Sequence, residues 1–220
     1  MVAHNNQFGR IKGFALLEVL ISLVILLVGL LGLAGLLVQS NRSEFESYQK
    51  KQALILLQDM ADRISNNVNA ANCYALGAGA ANYVGDTATV TNPASYACAP
   101  GVGTAFGANQ IQRVRDDLVA WDGALKGAAE VLGTDKVGAA LDARGCIEYL
   151  GTFVASSGAA SAAVFGTKGT YTDFLVSVAW RGTGDSAAPP GTLVCAKNTY
   201  GTEGRRRVVS RVVRIPSLNI

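Results

Sequence analysis

The sequence predicts an α+β chain: a long N-terminal helix, membrane-spanning in its first half, packed through its second half on a small antiparallel β-sheet head. Three observations carry this. An apolar run with one carboxylate fills residues 14–38, apolar residues then recur at helical spacing as far as Val68, and no proline interrupts either stretch. Further on, "YTDFLVSVAWRG" alternates with the period of two of a half-buried strand. The boundaries are a basic leader over 1–13, a membrane-length helix over 14–38, an amphipathic helix continuing over 39–72, and a globular α+β head over 73–220. Of the 220 residues 50% are hydrophobic, and the first forty hold much of that excess. The remainder suits one domain with one core.

The first element is the apolar run "FALLEVLISLVILLVGLLGLAGLLV". Its 25 residues would span about 37 Å as a helix, enough to cross a bilayer. Arg10 and Lys12 precede it, which places that end on the cytoplasmic side. A cleavable secretory signal has a shorter apolar region and a small-x-small cleavage site, so it does not fit. A plain signal anchor fits the length but gives no reason for Glu18, since a charge at the centre of a span costs about 2.5–3.5 kcal/mol. Gly29, Gly32 and Gly35 punctuate the run; they suit close helix packing and weaken the helix locally.

A third reading accounts for the acid. "KGFALLEVLISLVIL" resembles the N-terminal motif of type IV prepilins: a short basic leader ending in Gly, an aromatic first mature residue, and Glu at the fifth mature position. The resemblance makes Gly13 and Phe14 the prepilin peptidase cleavage site and Phe14 the N-methylated residue. It makes Glu18 the assembly residue, neutralising the N-terminus of a neighbouring subunit. An unpaired buried charge is costly and a paired one far less so, which favours the packed filament. Glu18 also complements its own helix N-terminus. The expected partners are other major and minor pilins, prepilin peptidase, an inner-membrane assembly platform and the membrane itself. The expected location is the bacterial inner membrane with a periplasmic head, then the pilus at the cell surface.

The second half of the helix carries Leu54, Leu57, Ala61, Ile64 and Val68 at helical spacing, with Phe45 and Tyr48 before them. Asn66, Asn67, Asn69 and Asn72 mark its end. Residues 75–109 read as a long loop with a short strand near 87–90. Residues 109–132 show the helical stripe Ile111, Val114, Leu118, Trp121 or Asp122, Leu125 and Leu132, with Trp121 in a packing role. Short strands are expected around Cys146–Leu150, over "YTDFLVSVAWRG" (Phe174, Val176, Val178 and Trp180 on one face), in "GTLVCAKN", and in "RRRVVSRVVRIP" up to Pro216. Together they predict an antiparallel sheet of about four strands.

The four cysteines, Cys73, Cys98, Cys146 and Cys195, have no CxxC spacing and no histidine nearby, which disfavours zinc. An even count beyond a membrane segment predicts two disulfides in an oxidising compartment. Three connectivities are open; closure of local loops favours Cys73–Cys98 and Cys146–Cys195. The only histidine, His4, lies in the leader, so the head lacks the residue for Ser-His or Cys-His catalysis. Asp116, Asp117, Asp122, Asp135 and Asp142 are spread out and make no compact calcium loop. No metal site, no cofactor and no catalytic constellation is expected, so the chain does not read as an enzyme.

Without Arg10 and Lys12 the nineteen basic residues fall to seventeen against sixteen acids, a balance that requires no nucleic acid. Arg205, Arg206, Arg207, Arg211 and Arg214 could favour one, but charge blunting a sheet edge is the commoner reason for such a cluster. Within the family the head resembles PilV-like minor pilins, the type IV pilus modification proteins. The segments that carry this are "DLVAWDGALKGA", "RGCI", "VSVAWRG" and "CAKNTYGTEGRRRVVSRVVRI". The resemblance implies a minor pilin that enters the pilus tip or initiation complex, promotes pilus assembly and serves adhesion. The alternative is a type II secretion pseudopilin, which shares the N-terminal motif.

Overall fold

The computed structural model describes residues 16–85, 108–128, 131–136, 140–154 and 170–216. The chain divides into two compact units, Met1–Glu44 and Phe45–Ile220. Helix α1, Leu16–Asn66, begins in the first unit and ends in the second. Glu18 in its first turn and Arg63 in its last both suit the helix dipole. Within the first unit the large apolar residues from Leu16 to Val38 are 49–77% exposed, and this helix is long and apolar enough to cross a membrane.

In the second unit α1 buries Gln49, Ala53, Leu56, Leu57, Met60, Ala61 and Ile64, one stripe at spacings of three and four. Leu54, expected on the packed stripe, is 44% exposed. At 3.6 residues per turn it falls roughly a quarter turn from the stripe's centre. The asparagine-rich end is where the helix changes: the Asn67 amide is shared between the Arg63 and Ile64 carbonyls, both at 3.2 Å, and a 3-10 helix runs over Val68–Tyr74.

Helix α2, Ala108–Leu125, buries Val114, Leu118, Trp121 and Leu125. The Trp121 indole Nε1 donates to the Leu56 carbonyl of α1 at 2.9 Å, so Trp121 packs and tethers. The expected continuation of this helix to Leu132 does not occur. Gly127 takes φ 84°, its amide donates to Ala124 O at 3.0 Å, and the Ala128 amide donates to Gly123 O at 2.9 Å. That left-handed cap satisfies the last carbonyls and stops the helix. Leu132 instead belongs to a short hairpin, β1 (Val131–Leu132) with β2 (Asp135–Lys136).

The main sheet is antiparallel with order β3-β4-β5: β3 Arg144–Val154, β4 Thr170–Arg181 and β5 Arg206–Pro216. Three strands form it among the described residues, and one of the expected strands is absent. "GTLVCAKN" is a run of turns, with i→i+3 bonds from Leu193 to Pro190, Lys197 to Val194 and Thr199 to Ala196. Ala196 and Asn198 have positive φ, incompatible with an extended strand. The carbonyls of Leu193 and Cys195 accept bonds from the Arg206 guanidinium instead of a ladder partner.

On the core face of the sheet Phe174, Val176, Val178 and Trp180 join Ile147, Val213 and Ile215 and the buried residues of α1 and α2 in one cluster. Trp121 lies so close to β3 that a Cβ at Gly145 would approach its ring to 2.3 Å. On the back face Cys146, Ala179, Cys195, Ala196 and Tyr200 form a second, smaller cluster. The outer edge of β3 is covered: Val84 and Gly145 exchange two 2.9 Å backbone bonds, and the Leu76 amide donates to Ile147 O. The strand expected near 87–90, with most of the expected 75–109 loop, lies outside the described residues.

Candidate functional site

Glu18 stands on the first turn of α1, exposed, on a surface otherwise almost wholly apolar. Leu17, Ile21, Ser22 and Ile25 flank it along a shallow groove. Ser22 lies one turn on, its hydroxyl donating to the Val19 carbonyl at 2.8 Å. That local bond lets a serine sit in an apolar helix without an orphaned donor. Among the described residues Glu18 has no cationic partner. A lone carboxylate on such a rod suits a cation brought by another chain and is unfavourable in lipid by itself. Gly13 and Phe14, expected to be the cleavage and methylation positions, lie outside the described residues, as do Arg10 and Lys12.

A protein-family model of the prokaryotic N-terminal methylation motif matches residues 9–34. The chain carries a prokaryotic N-terminal methylation motif. The match spans Arg10, Lys12, Gly13, Phe14, Glu18 and most of the apolar run. The methylation motif supports a type IV pilin-like or pseudopilin prepilin, and implies processing by prepilin peptidase and assembly with other pilins. The motif and the apolar helix together fit membrane anchoring. No curated protein and no solved structure matches the chain.

In the head, Cys146 and Cys195 form a disulfide across a separation of 49 residues, joining β3 to the loop behind the sheet. Cys73 is also disulfide-bonded; Cys98, its expected partner, lies outside the described residues. Two of the acidic residues read from sequence bond within the protein. Asp122 accepts from the Gly85 amide at 2.8 Å and pairs with Lys126 at 2.7 Å. Asp142 pairs with Arg144 at 3.0 Å. No cluster fit for a metal ion occurs among the described residues.

The C-terminal arginines are each engaged. Arg206, 1% exposed, binds Glu203 at 2.7 Å together with the Leu193 and Cys195 carbonyls. Arg207 donates to the Gly204 and Gly184 carbonyls and lies 3.7 Å from Glu46 of α1. Arg211 hydrogen-bonds Gln58 of α1, Arg214 grips Asp173 with two bonds, and Arg205 lies 3.6 Å from Asp185. The cluster thus clamps β5 to the helix and to the loop before it, a structural use that competes with phosphate binding.

Two arrangements were not legible in the sequence. Arg144 is buried with its guanidinium 4.7 Å from the Tyr83 ring and 5.7 Å from that of Tyr200, whose hydroxyl donates to Asp142 O. Near the end of α1, Tyr74 donates to Asp117 at 2.5 Å, Arg63 bridges Asp59 and Asp117, and the Asn67 amide reaches Tyr74 at 3.2 Å. Burial first, then the bond to Asp117, pushes the Tyr74 pKa well above the usual tyrosine value, so it remains a donor. The bonds to Asp117 and the ring contacts of Arg144 join residues distant in sequence, and no local pattern announces them.

Proposed function

We propose that the chain is a minor type IV pilin of the PilV kind. Prepilin peptidase cuts between Gly13 and Phe14, Phe14 is N-methylated, and the anchored chain carries a periplasmic head until it enters the pilus tip or initiation complex. There it promotes filament assembly and serves adhesion. The methylation motif over residues 9–34 carries this reading, with Glu18 the fifth residue counted from the expected new N-terminus, Phe14. Cleavage exposes a secondary ammonium at Phe14 once methylated. The Glu18 carboxylate of one subunit pairs with that cation on its neighbour, so two groups costly in oil become tolerable together. The sheet face and disulfide of the head suit a secreted display domain.

Replacing Glu18 tests the pairing. Glu18→Ala chains are expected in the membrane at normal abundance but depleted at least tenfold from sheared filaments. Normal incorporation of Glu18→Ala chains would refute the pairing. The same motif serves type II secretion pseudopilins, so this remains the second reading. Deletion of the chain separates the two: loss of surface pili with secretion intact supports the pilin, and loss of exoprotein secretion with pili intact supports the pseudopilin.

A further inference from the structure

At the junction of α1 and α2 a cleft of about 330 Å³ opens on the head surface. Its walls are Asn66, Asn67, Val68 and Asn69 from the end of α1 and the 3-10 helix, and Asn109, Gln110 and Arg113 from the first turns of α2. No carboxylate lines it among the described residues. Five amide-bearing residues and one arginine thus line it. Four of the amides, those of Asn66, Asn69, Asn109 and Gln110, have no hydrogen-bond partner among the described residues, and Arg113 pairs with no described acid. The fifth, Asn67, is buried and held by Tyr74, itself fixed by Asp117 and Arg63. The floor of the cleft is therefore braced while its rim is uncommitted.

We propose that this cleft binds an acidic saccharide unit, a sugar ring bearing a carboxylate. A primary amide both donates and accepts, and so does a hydroxyl; a wall of amides matches a ring of vicinal hydroxyls whichever way each points. The single unpaired guanidinium matches one carboxylate, and charge-assisted bonds of this kind are the strong ones. The volume falls at the small end of ligand sites, right for one ring. Across the Val68–Asn69 wall a second cleft of about 130 Å³, bordered by Asn72, offers room for a neighbouring residue of a longer chain. The lining holds no aromatic ring, so affinity for a single sugar is weak and a polymer gains by repeated engagement. This inference concerns the head alone and stands apart from the filament reading.

The test is saturation-transfer NMR titration of the detergent-solubilised full chain with glucuronate, and with glucose and acetate as comparators. Glucuronate should saturate in the millimolar range and bind more tightly than either comparator. Arg113→Gln should weaken it about tenfold, the value of one charge-assisted bond, and Asn69→Ala should weaken it severalfold. Both side chains are exposed and bonded to nothing else described, so both variants should melt with the parent chain. Absence of saturable glucuronate binding overturns the proposal. Equal binding of acetate reduces the cleft to a simple anion site and overturns it too, as does glucuronate binding unaffected by both substitutions. A failed titration leaves the Glu18 pairing untouched, because that is read from filament content.

Discussion

A single atom decides the fit between the second helix and the sheet. Gly145 lies beneath Trp121, and a Cβ there would meet the indole at 2.3 Å and Leu125 at 2.7 Å. The indole cannot retreat without breaking its 2.9 Å bond to the Leu56 carbonyl. Gly145→Ala should therefore cost about 3 kcal/mol, the upper range for overpacking, measured by denaturant unfolding. An unchanged midpoint would mean that α2 shifts freely on the sheet. Charge adds a pH signature. The Arg214 hydrogen bonds hold Asp173 below the usual carboxylate range, against the opposing effect of burial. A carboxylate depressed by folding contributes above its unfolded pKa of about 3.9, and that contribution is lost as pH falls through the folded value. Asp173→Asn should therefore lower the melting temperature slightly at neutral pH, only slightly because the exposed guanidinium is well screened, and flatten its fall below about pH 4 by the same amount, so that variant and parent converge in acid. An identical acid slope in the variant would place the acid-sensitive group elsewhere.

Elements whose signal is local were legible. The apolar run gives a helix because a stretch of membrane-spanning length with only Glu18 and Ser22 among its apolar residues has no other solution in lipid. Phe174, Val176, Val178 and Trp180 all face the core, as strict alternation demands. The failures arise where capping or tertiary bonds overrule pattern. Leu132 continues the α2 stripe in phase, yet Gly127 ends the helix first. "GTLVCAKN" has strand composition, yet its carbonyls are held by Arg206 and its Cys195 by Cys146. Arg206 looked like surface charge because nothing local reveals that a loop folds over it. Glu18 is singled out in the sequence by its spacing from Gly13 and Phe14, whereas the cleft between α1 and α2 depends on distant residues meeting. The Cys146–Cys195 bond closes a 49-residue separation and ties the back layer to β3. By loop-closure entropy its removal should cost about 4 kcal/mol. Cys195→Ser should show that loss by denaturant unfolding, with hydrogen-exchange protection falling first over residues 182–205. A loss spread evenly over the sheet would contradict this layered account.

At the scale of the whole molecule the chain combines two solvents' requirements. Residues 16–38 present apolar side chains outward and need lipid or other helices around them. The head buries its own core of helix and sheet residues and keeps polar groups outward. The proposed life of the chain, anchored first and filamentous later, keeps the apolar helix out of water at both stages. Its turning point is a cleavage that creates the cation Glu18 requires. The mature N-terminal mass of the chain recovered from sheared filaments tests this most directly. The account predicts a chain that begins at monomethylated Phe14; a filament-borne chain that still begins at Met1, or at any residue other than Phe14, would contradict it.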